Sequence, residues 1–419
     1  MAALRPLLAL LAAGSLLGIV SQILRSSMGV LAPDLMREMG FAPEALGLLT
    51  GVFFVVYAAM QVPMGVALDR YGPRRVTAVS LCVAVAGCVA FAAAEDTNGL
   101  FAARFFMGLG ASPLYMGAFA VVVRWVEPRR FARVASVIVV LGNGGTLLAT
   151  TPLAAVAVAV GWRGAFLAIA ALAALAVVVT LLFLRDSPPG ADAGKAPKET
   201  LGESLKGVWT VMTHRRVRYV MALAFVSYPV VASVFVLWGG PYLHDVHGLD
   251  KVGRGNVLLV MALAMGVMPL SFGWLDSRIG SRRTVLTGCI LQVIVLALLA
   301  LLPRPGLAAS ATLIVLLGAC GGYGLLVPTL PRLLFPDHMA ARVMTTINLF
   351  VIGGVAFWQM VTGVVVGAFP EIGGVAPELA YRAMFGVLAV AMAAGSFAFS
   401  RLGEVLPPDA GGAPAGAAS

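Results

Sequence analysis

Long apolar runs recur from one end of the sequence to the other and constrain the fold more than any other feature. An α-helix needs about 20 apolar residues to cross a hydrocarbon core of about 30 Å. Of the 419 residues, 60% are hydrophobic and 11% are charged, whereas a soluble domain has about 25% charged residues. Because a helix satisfies its own backbone hydrogen bonds in lipid, the sequence predicts an all-α polytopic membrane protein.

Charged residues, prolines and glycines divide the sequence into twelve predicted membrane helices. We number them spans 1 to 12, with approximate limits 6–32, 45–67, 76–94, 99–125, 134–160, 164–184, 217–240, 253–275, 284–302, 308–335, 343–368 and 380–402. The first begins like a signal peptide, with a basic residue before an apolar run. The run continues past any small-residue cleavage site, so we interpret it as a retained membrane helix.

The positions of the basic residues predict the orientation of the spans. If the N-terminus is inside, the inner loops carry Arg70, Arg74, Arg75, Arg129, Arg130, Arg133, Arg278, Arg282, Arg283, Arg332 and Arg342. Acidic residues, among them Asp34, Glu38 and Asp245, gather on the opposite side. The positive-inside rule then places both termini in the cytoplasm, with the chain in the inner membrane. This distribution accounts for the net charge of +10 without nucleic acid as a partner.

Two basic segments, GVALDRYGPRR at 65–75 and GWLDSRIGSRR at 273–283, lie 208 residues apart. Further pairs recur at this spacing or one residue more: Pro33/Pro241, Gly40/Gly248, Gly110/Gly318, Tyr115/Tyr323 and Arg133/Arg342. The repeat predicts two six-helix halves, 1–184 and 217–403, related by a pseudo-two-fold axis along the membrane normal. Between them, 185–216 is predicted to be a cytoplasmic linker with an amphipathic helix on the inner membrane surface. The tail, 404–419, is predicted to be disordered.

The first basic segment resembles the signature of the major facilitator superfamily in the loop between spans 2 and 3. The matching residues are Gly65, Asp69, Arg70, Gly72, Arg74 and Arg75. The second copy has Arg278, Gly280, Arg282 and Arg283 in register but carries Asp276 one residue early. Arg104, in RFFMGLGAS, resembles a second signature, on span 4. The resemblance covers essentially the whole chain and implies transport by alternating access, with Asp69 and the arginines latching span 2 to span 11.

Two arginines lie inside predicted spans, where a charge costs about 2.5–3.5 kcal/mol on insertion scales. Arg25 is in span 1 and Arg104 is in span 4. Because a guanidinium group matches a carboxylate or an oxyanion, one or both are predicted to bind an anionic substrate. The structural alternatives are snorkelling of Arg25 to the outer interface and a lock between Arg104 and backbone carbonyls.

The resemblance places spans 1, 4, 7 and 10 around a central cavity. The candidate cavity residues are Gln22, Arg25, Arg104, Tyr115, Asn143, Tyr228 and Tyr323. Interhelical hydrogen bonding is an equally good interpretation of each polar member. No Asp or Glu lies in the middle of a span, which disfavours a proton relay through a buried carboxylate. Asp34, at the outer end of span 1, is the remaining candidate for that role.

The sequence therefore predicts secondary or facilitative transport of a small polar or anionic solute. The expected partners are this solute, the bilayer and, where transport is coupled, a proton or ion. We expect a monomer with no cofactor, no resident metal and no enzymatic activity.

Several alternatives stay open. Span 5 lacks the Gly-Pro pattern of drug–proton antiporters, yet multidrug efflux is the main alternative. Copper import is another, since the thioethers of Met261, Met265 and Met268 suit Cu(I). A transporter-like receptor that does not transport is a third. His244 and His247 have metal-ligand spacing, but loop histidines without an organised surrounding shell are more often solvated.

Overall fold

The computed structural model of the protein describes residues 4–187, 201–335 and 339–402. The first ten helices are α1 (Leu4–Ser26), α2 (Met28–Met39), α3 (Pro43–Ala59), α4 (Gln61–Tyr71), α5 (Pro73–Ala93), α6 (Thr97–Ala111), α7 (Leu114–Trp125), α8 (Pro128–Gly142), α9 (Gly144–Leu148) and α10 (Thr151–Phe183). The linker contains α11 (Leu201–Thr213). Residues 188–200 of the linker and the predicted tail, 404–419, lie outside the described residues.

The C-terminal part of the chain contains α12 (Val217–Ala224), α13 (Ser227–Ala232), α14 (Gly239–Asp245), α15 (Lys251–Ile279), α16 (Ser281–Leu301), α17 (Leu307–Cys320), α18 (Ala340–Gly367) and α19 (Glu378–Ser400). A π-helical segment, Ser233–Trp238, joins α13 to α14. Two 3-10 segments, Gly321–Leu325 and Leu330–Leu334, follow α17.

These helices form the predicted membrane spans. Within the described ranges, eleven helical segments are long and apolar enough to cross a bilayer, and α3 with α4, bent by 46°, supplies a twelfth. Span 1 consists of α1 and α2, span 4 of α6 and α7, and span 7 of α12 to α14. The all-α polytopic fold class is therefore confirmed.

Spans 5 and 6 are less regular than the sequence predicted. The predicted limits of span 5, 134–160, enclose the end of α8, all of α9 and the start of α10. The chain turns at Gly161, with φ +72°, so α10 carries both the end of span 5 and all of span 6. The breaks before α9 and α10 fall where glycines and a proline, Pro152, interrupt the apolar run, because these residues disfavour a continuous helix.

The internal repeat is visible in the backbone at the two basic segments. Gly72 and Gly280 have φ values of +87° and +81°, which glycine adopts without a steric penalty. Arg74 Nη2 donates to a carbonyl 2.5 Å away in the last turn of α10. Arg282 Nη2 donates to the last carbonyl of α19, at 2.7 Å. In each half, an arginine thus lies against the negative end of the sixth span, where a cation is favoured.

The two halves meet closely at one end of the bundle, which we call the closed end. There α2 packs on the π-helical segment and on α14. A Cβ atom on Gly29 would lie 2.5 Å from the Phe235 carbonyl oxygen, and Gly240 packs against the Gly29 carbonyl. Nearby, α3 packs along α18, with Gly47 against Gly363. The glycines let backbones of opposite halves touch, as small residues do at membrane helix interfaces.

The opposite end carries both basic segments, and we call it the open end. Here α4 bends by 46° away from α3, while α3 remains packed on α18. The linker helix α11 lies at this end and contacts α4 of the first half and α18 of the second. Because α4 and α8 pack mainly against helices of their own half, and α4 also on the linker helix, the halves contact each other less on the side that bears the basic segments.

Candidate functional site

Arg25 lies between the two halves, near the break between α1 and α2. Its Nη1 atom donates to Gln22 Oε1 at 3.3 Å. Its guanidinium carbon is 4.8 Å from the ring centroid of Tyr57 and 5.9 Å from that of Phe54. Among the described residues, no carboxylate forms an ion pair with Arg25. A cation in this position, held by aromatic faces and one neutral amide, is suited to receive an anion.

Gln22 fixes the position of this guanidinium relative to span 5. Its Nε2 atom donates to Asn143 Oδ1 at 3.0 Å and to Thr146 Oγ1 at 3.1 Å. The same amide accepts the hydrogen bond from Arg25 through its oxygen. A chain of hydrogen bonds therefore runs from the exposed amide of Asn143 to the cation.

Three tyrosines complete the surroundings of the guanidinium. Tyr57, Tyr115 and Tyr228 lie within electrostatic range of it. The Tyr115 hydroxyl is buried without a hydrogen-bond partner, and Tyr228, which belongs to the second half, is 37% exposed. We call the following residues the Arg25 cluster: Gln22, Arg25, Tyr57, Tyr115, Asn143, Thr146 and Tyr228. The cluster combines one cation with several neutral hydrogen-bonding groups, and both halves contribute to it.

Arg104, a predicted cavity residue, lies outside this cluster. Its side chain is fully buried, and its Nη1 atom donates to the Leu24 carbonyl at 3.3 Å. Its guanidinium carbon is 4.8 Å from the Phe53 ring centroid, and its Nε and Nη2 atoms have no hydrogen-bond partner. Because Leu24 directly precedes Arg25, Arg104 holds the backbone that carries the Arg25 side chain.

Tyr323, the counterpart of Tyr115 in the repeat, also lies apart from the cluster. It is fully buried, and its hydroxyl donates to Gln292 Oε1 at 2.5 Å. This hydrogen bond joins spans 9 and 10 inside the second half. The structure thus brings five of the seven predicted cavity residues together and places Arg104 and Tyr323 elsewhere.

An ion cluster joins the halves at the closed end. Asp34 Oδ2 is 3.4 Å from Lys251 Nζ and 3.7 Å from Arg254 Nη2, and Asp34 Oδ1 is 3.2 Å from Arg37 Nη2. Asp34 and Arg254 are both buried. Lys251 Nζ also donates to the Ala157 carbonyl of the first half at 3.3 Å. A carboxylate of the first half is therefore shared by two cations of the second half.

Further ionic contacts brace the first half beyond the predicted limit of span 1. Trp162 Nε1 donates to Glu38 Oε2 at 2.6 Å, and Arg163 forms an ion pair with the same carboxylate. Burial favours a higher pKa for Glu38, but these two partners outweigh it, so the pKa lies below its ordinary value. Glu38 thus ties α2 to the start of span 6.

His244, which lies in α14 and not in a loop, and His247, which lies in the loop after it, take part in hydrogen bonds within the second half. His244 Nδ1 lies 2.7 Å from Asp245 Oδ1, and Asp245 Oδ2 accepts from the Tyr381 hydroxyl at 2.5 Å. His247 Nε2 lies 2.9 Å from Ser310 Oγ, and burial lowers the pKa of His247. Among the described residues, no group of three or more His, Cys, Asp or Glu side chains converges as a metal site.

The methionines considered for copper contact glycines on neighbouring helices. Met261 and Met265 pack against Gly318, and Met268 packs against Gly322. Their spacing along α15 matches a packing face between spans 8 and 10.

The predicted gating residues lie in or beside the loops at the open end. The exposed members are Asp69, Arg70, Arg74, Arg75, Arg278, Gly280 and Arg283, whereas Gly65, Gly72, Asp276 and Arg282 are partly buried. The Arg74 backbone N–H donates to Asp186 Oδ1 at 2.7 Å. Arg278 lies over the Trp274 ring, 4.9 Å from its centroid. Asp69 makes a contact of its own, and its role as a latch to span 11 stays a prediction.

Sequence reasoning missed two features of this arrangement. Tyr57 and Thr146 were not among the predicted site residues, because the resemblance concentrated attention on spans 1, 4, 7 and 10. The ion cluster was also missed, although Asp34 and Arg254 carry opposite charges at span ends on the same predicted side. These opposite charges were the sequence feature from which the ion cluster could have been predicted.

Comparison with known proteins places this architecture in a family. The sequence profile of the Major Facilitator Superfamily matches residues 14–357. The chain therefore belongs to the major facilitator superfamily of secondary transporters. Like its relatives, it is a multi-pass membrane transporter.

Three curated relatives illustrate the range of solutes in this family. A hexuronate transporter of Bacillus subtilis is 25% identical over 285 residues, which cover 66% of this chain and 65% of that protein. A nitrate/nitrite transporter of Nostoc punctiforme is 30% identical over 109 residues, covering 26% and 22% of the two chains. The chain thus spans less than two thirds of either relative. A multidrug resistance protein of Shigella dysenteriae, MdtL, is 24% identical over 352 residues, covering 82% and 85%.

Solved structures agree with the fold. A mutant of the nucleoside transporter NupG superposes with a TM-score of 0.78 at 14% identity, covering 94% of this chain and 100% of that one. A bacterial homologue of the human lysosomal transporter Spinster, in an inward-facing and occupied conformation, gives a TM-score of 0.76 at 18% identity, covering 94% and 96%. At these identities the likeness supports the fold alone.

Proposed function

We propose that this protein carries a small anionic solute, with a carboxylate or an oxyanion, across the membrane by alternating access. The observation that carries the proposal is Arg25, a guanidinium inside span 1 with no carboxylate paired to it among the described residues. Its planar fork binds a carboxylate in a bidentate manner. Asn143 and Tyr228, which are exposed, then supply hydrogen bonds to the remaining polar groups of the solute.

The relatives add support of a different kind. The hexuronate and nitrate/nitrite transporters act on anions, as their names state. Both solutes present oxygen atoms that match an arginine fork. An anionic substrate class is consistent with these relatives and with the single cation of the Arg25 cluster.

The same arrangement supplies a transport cycle. The structure is closed at the end that carries Asp34 and open at the end that carries the basic segments. With the orientation set by the positive-inside rule, this is an inward-open form of a monomer in the bacterial inner membrane, with both termini in the cytoplasm. Rocking of residues 1–184 against 217–403 would separate Asp34 from Lys251 and Arg254 and open the outer side.

Multidrug efflux is the second candidate. The match to MdtL covers 82% of this chain, more than the match to the hexuronate transporter. The aromatic rings beside Arg25, those of Phe54 and Tyr57, would also suit an amphipathic compound. Such a substrate would bind without needing the guanidinium, which separates this candidate from an anion carrier.

A series of thermal-shift measurements on the purified protein distinguishes an anion carrier from a multidrug exporter. A ligand that binds only the folded protein raises its melting temperature by mass action. We expect glucuronate or nitrate to stabilise the protein, with glucose as the uncharged control and ethidium as the drug-like cation. Arg25→Gln should weaken the affinity for the anion about tenfold or more, since hydrogen bonds to charged groups contribute about 1.5–3 kcal/mol. Arg25→Lys should retain part of it.

Arg124→Gln is the matched control, because Arg124 lies at the end of α7, away from the cluster. This control variant should show the same rise in melting temperature with glucuronate or nitrate as the original protein. Stabilisation by ethidium that survives Arg25→Gln would instead favour multidrug efflux. Stabilisation by anions without any transport in vesicles would favour a receptor that does not transport.

A further inference from the structure

The linker helix α11 occupies an unusual place, because it touches both halves at the open end. One of its faces is packed: Val208 and Val211 are buried, and Gly207 lies against the side chain of Arg342 at the start of α18. The helix also contacts α4, at the end of span 2. It therefore bridges two spans that must move relative to one another during rocking.

The opposite face of α11 is apolar and uncovered. Leu205 is 51% exposed and Trp209 is 65% exposed. They are four residues apart, so their side chains lie on the same face of the helix. Lys206, on the neighbouring strip of the surface, is also exposed.

The position of α11 along the membrane normal is set by its neighbours. It ends at Thr213, and the span that begins at Val217 follows directly. Its packing partners are the end of α4 and the start of α18, which are ends of membrane spans as well. The helix therefore lies at the depth of the lipid headgroups, where a Trp side chain is favoured.

Exposed cations continue this surface beyond the helix. Arg215, Arg216 and Arg218 follow Thr213 and are all exposed. We call these three arginines and Lys206 the basic strip. Glu203 is an exposed acidic residue of α11, so the net charge of this surface stays positive. Anionic phospholipid headgroups attract such cations by about 1 kcal/mol for each Lys or Arg near the surface.

We propose that α11 and the basic strip bind the headgroups of anionic phospholipids, with Leu205 and Trp209 inserted among the acyl chains. The apolar face supplies the hydrophobic contact, and the strip supplies the charge complementarity. Since the packed face of α11 holds α4 and α18, lipid binding braces the open end in the state seen here. The proposal does not depend on the identity of the transported solute.

The first test measures the depth of α11 in a bilayer. A nitroxide label is placed on Leu205→Cys in a Cys82→Ser background, because Cys88, Cys289 and Cys320 are buried. The protein is reconstituted in vesicles of phosphatidylcholine and phosphatidylglycerol in equal parts. We expect the label to collide with oxygen, which concentrates in lipid, and to be shielded from a water-soluble nickel chelate. A label on the exposed loop residue Glu127 is the water-facing reference. If the label on residue 205 is as accessible to nickel as this reference, the face is a water-facing or protein-binding surface and the proposal fails.

The second test measures whether the protein prefers anionic to zwitterionic phospholipids. Native mass spectrometry compares retained phosphatidylglycerol with retained phosphatidylcholine after extraction from the same vesicles. Arg215→Gln/Arg216→Gln should reduce the preference for phosphatidylglycerol by about 10- to 30-fold, as expected for two surface arginines. Arg129→Gln/Arg130→Gln removes an equally exposed adjacent pair from the same side and should change it far less. If both double variants lose the preference for phosphatidylglycerol equally, the lipid is attracted by the basic surface in general, and the assignment of the site to α11 is wrong.

Discussion

The Asp34 carboxylate of the first half lies 3.7 Å from the Arg254 guanidinium of the second half, and both side chains are buried. Lys251 shares the same carboxylate oxygen at 3.4 Å. This contact and the apposition of Gly29 and Gly240 close one end of the transporter. Opening that end requires each of these charges to find water or another partner.

Asp34→Asn should therefore open the closed end. Removing one partner of a buried ion pair costs about 3–5 kcal/mol, because the other charge stays buried, so the closed form should lose population by 100-fold or more. The measurement is the distance between spin labels on Glu95→Cys and Arg304→Cys, which lie in loops of opposite halves at this end. The distance distribution should shift to longer values.

A double variant provides the control for this experiment. Asp34→Asn/Arg254→Gln also removes the buried guanidinium, so the cations left without the Asp34 carboxylate are the partly exposed Lys251 and the exposed Arg37. Its distance distribution should lie nearer to that of the original protein than the single variant does. Identical distributions for the single variant and the original protein would show that the ion pair does not hold this end closed.

Gly29→Val tests the backbone contact separately from the charges. A Cβ atom at this position would lie 2.5 Å from the Phe235 carbonyl oxygen, so the branched side chain prevents close approach of α2 to the π-helical segment. We expect the same lengthening between the labels on residues 95 and 304, with the ion pair chemically intact. Gly266→Val is the matched control, since a Cβ atom there meets open space.

Much of the fold follows from the sequence, and the reasons are physical. The apolar runs determine the spans, and the repeat of Gly72 and Gly280 predicts equivalent turns, which the backbone shows. The ends of spans 5 and 6 were harder to predict, because glycines and Pro152 interrupt helices without ending the crossing. The site was predictable only in part. Span membership shows that Arg25 and Arg104 are both inside the membrane, but helix rotation decides which one reaches the space between the halves.

Arg104→Met separates a structural role from a binding role. Two nitrogen atoms of this buried guanidinium have no hydrogen-bond partner, and replacing a buried charge with an apolar side chain of similar volume is often neutral or stabilising. We expect an unchanged or higher melting temperature. Anion affinity should nevertheless fall about threefold to tenfold, because Arg104 no longer holds the Leu24 carbonyl beside Arg25. Loss of stability together with unchanged affinity would contradict the positioning role.

His247 should make the second half less stable in acid. Burial lowers its pKa, and the nearby Glu378 carboxylate opposes this only in part. Below about pH 6.5, the ordinary value for histidine, the unfolded chain binds a proton that the folded protein does not, so stability falls as the pH drops. The melting temperature of His247→Gln should fall less than that of the original protein between pH 7.5 and pH 5.5. Parallel curves for the two proteins would argue against this assignment.

Anion transport that depends on Arg25 is tested by counterflow into proteoliposomes loaded with the same solute in unlabelled form. Labelled glucuronate, nitrate and glucose are compared for the original protein, Arg25→Lys and Arg25→Gln. We predict uptake of at least one anion but not of glucose, and we expect this uptake to be reduced by Arg25→Lys and lost with Arg25→Gln. Anion uptake that is unchanged in Arg25→Gln, or uptake confined to uncharged solutes, would contradict this prediction.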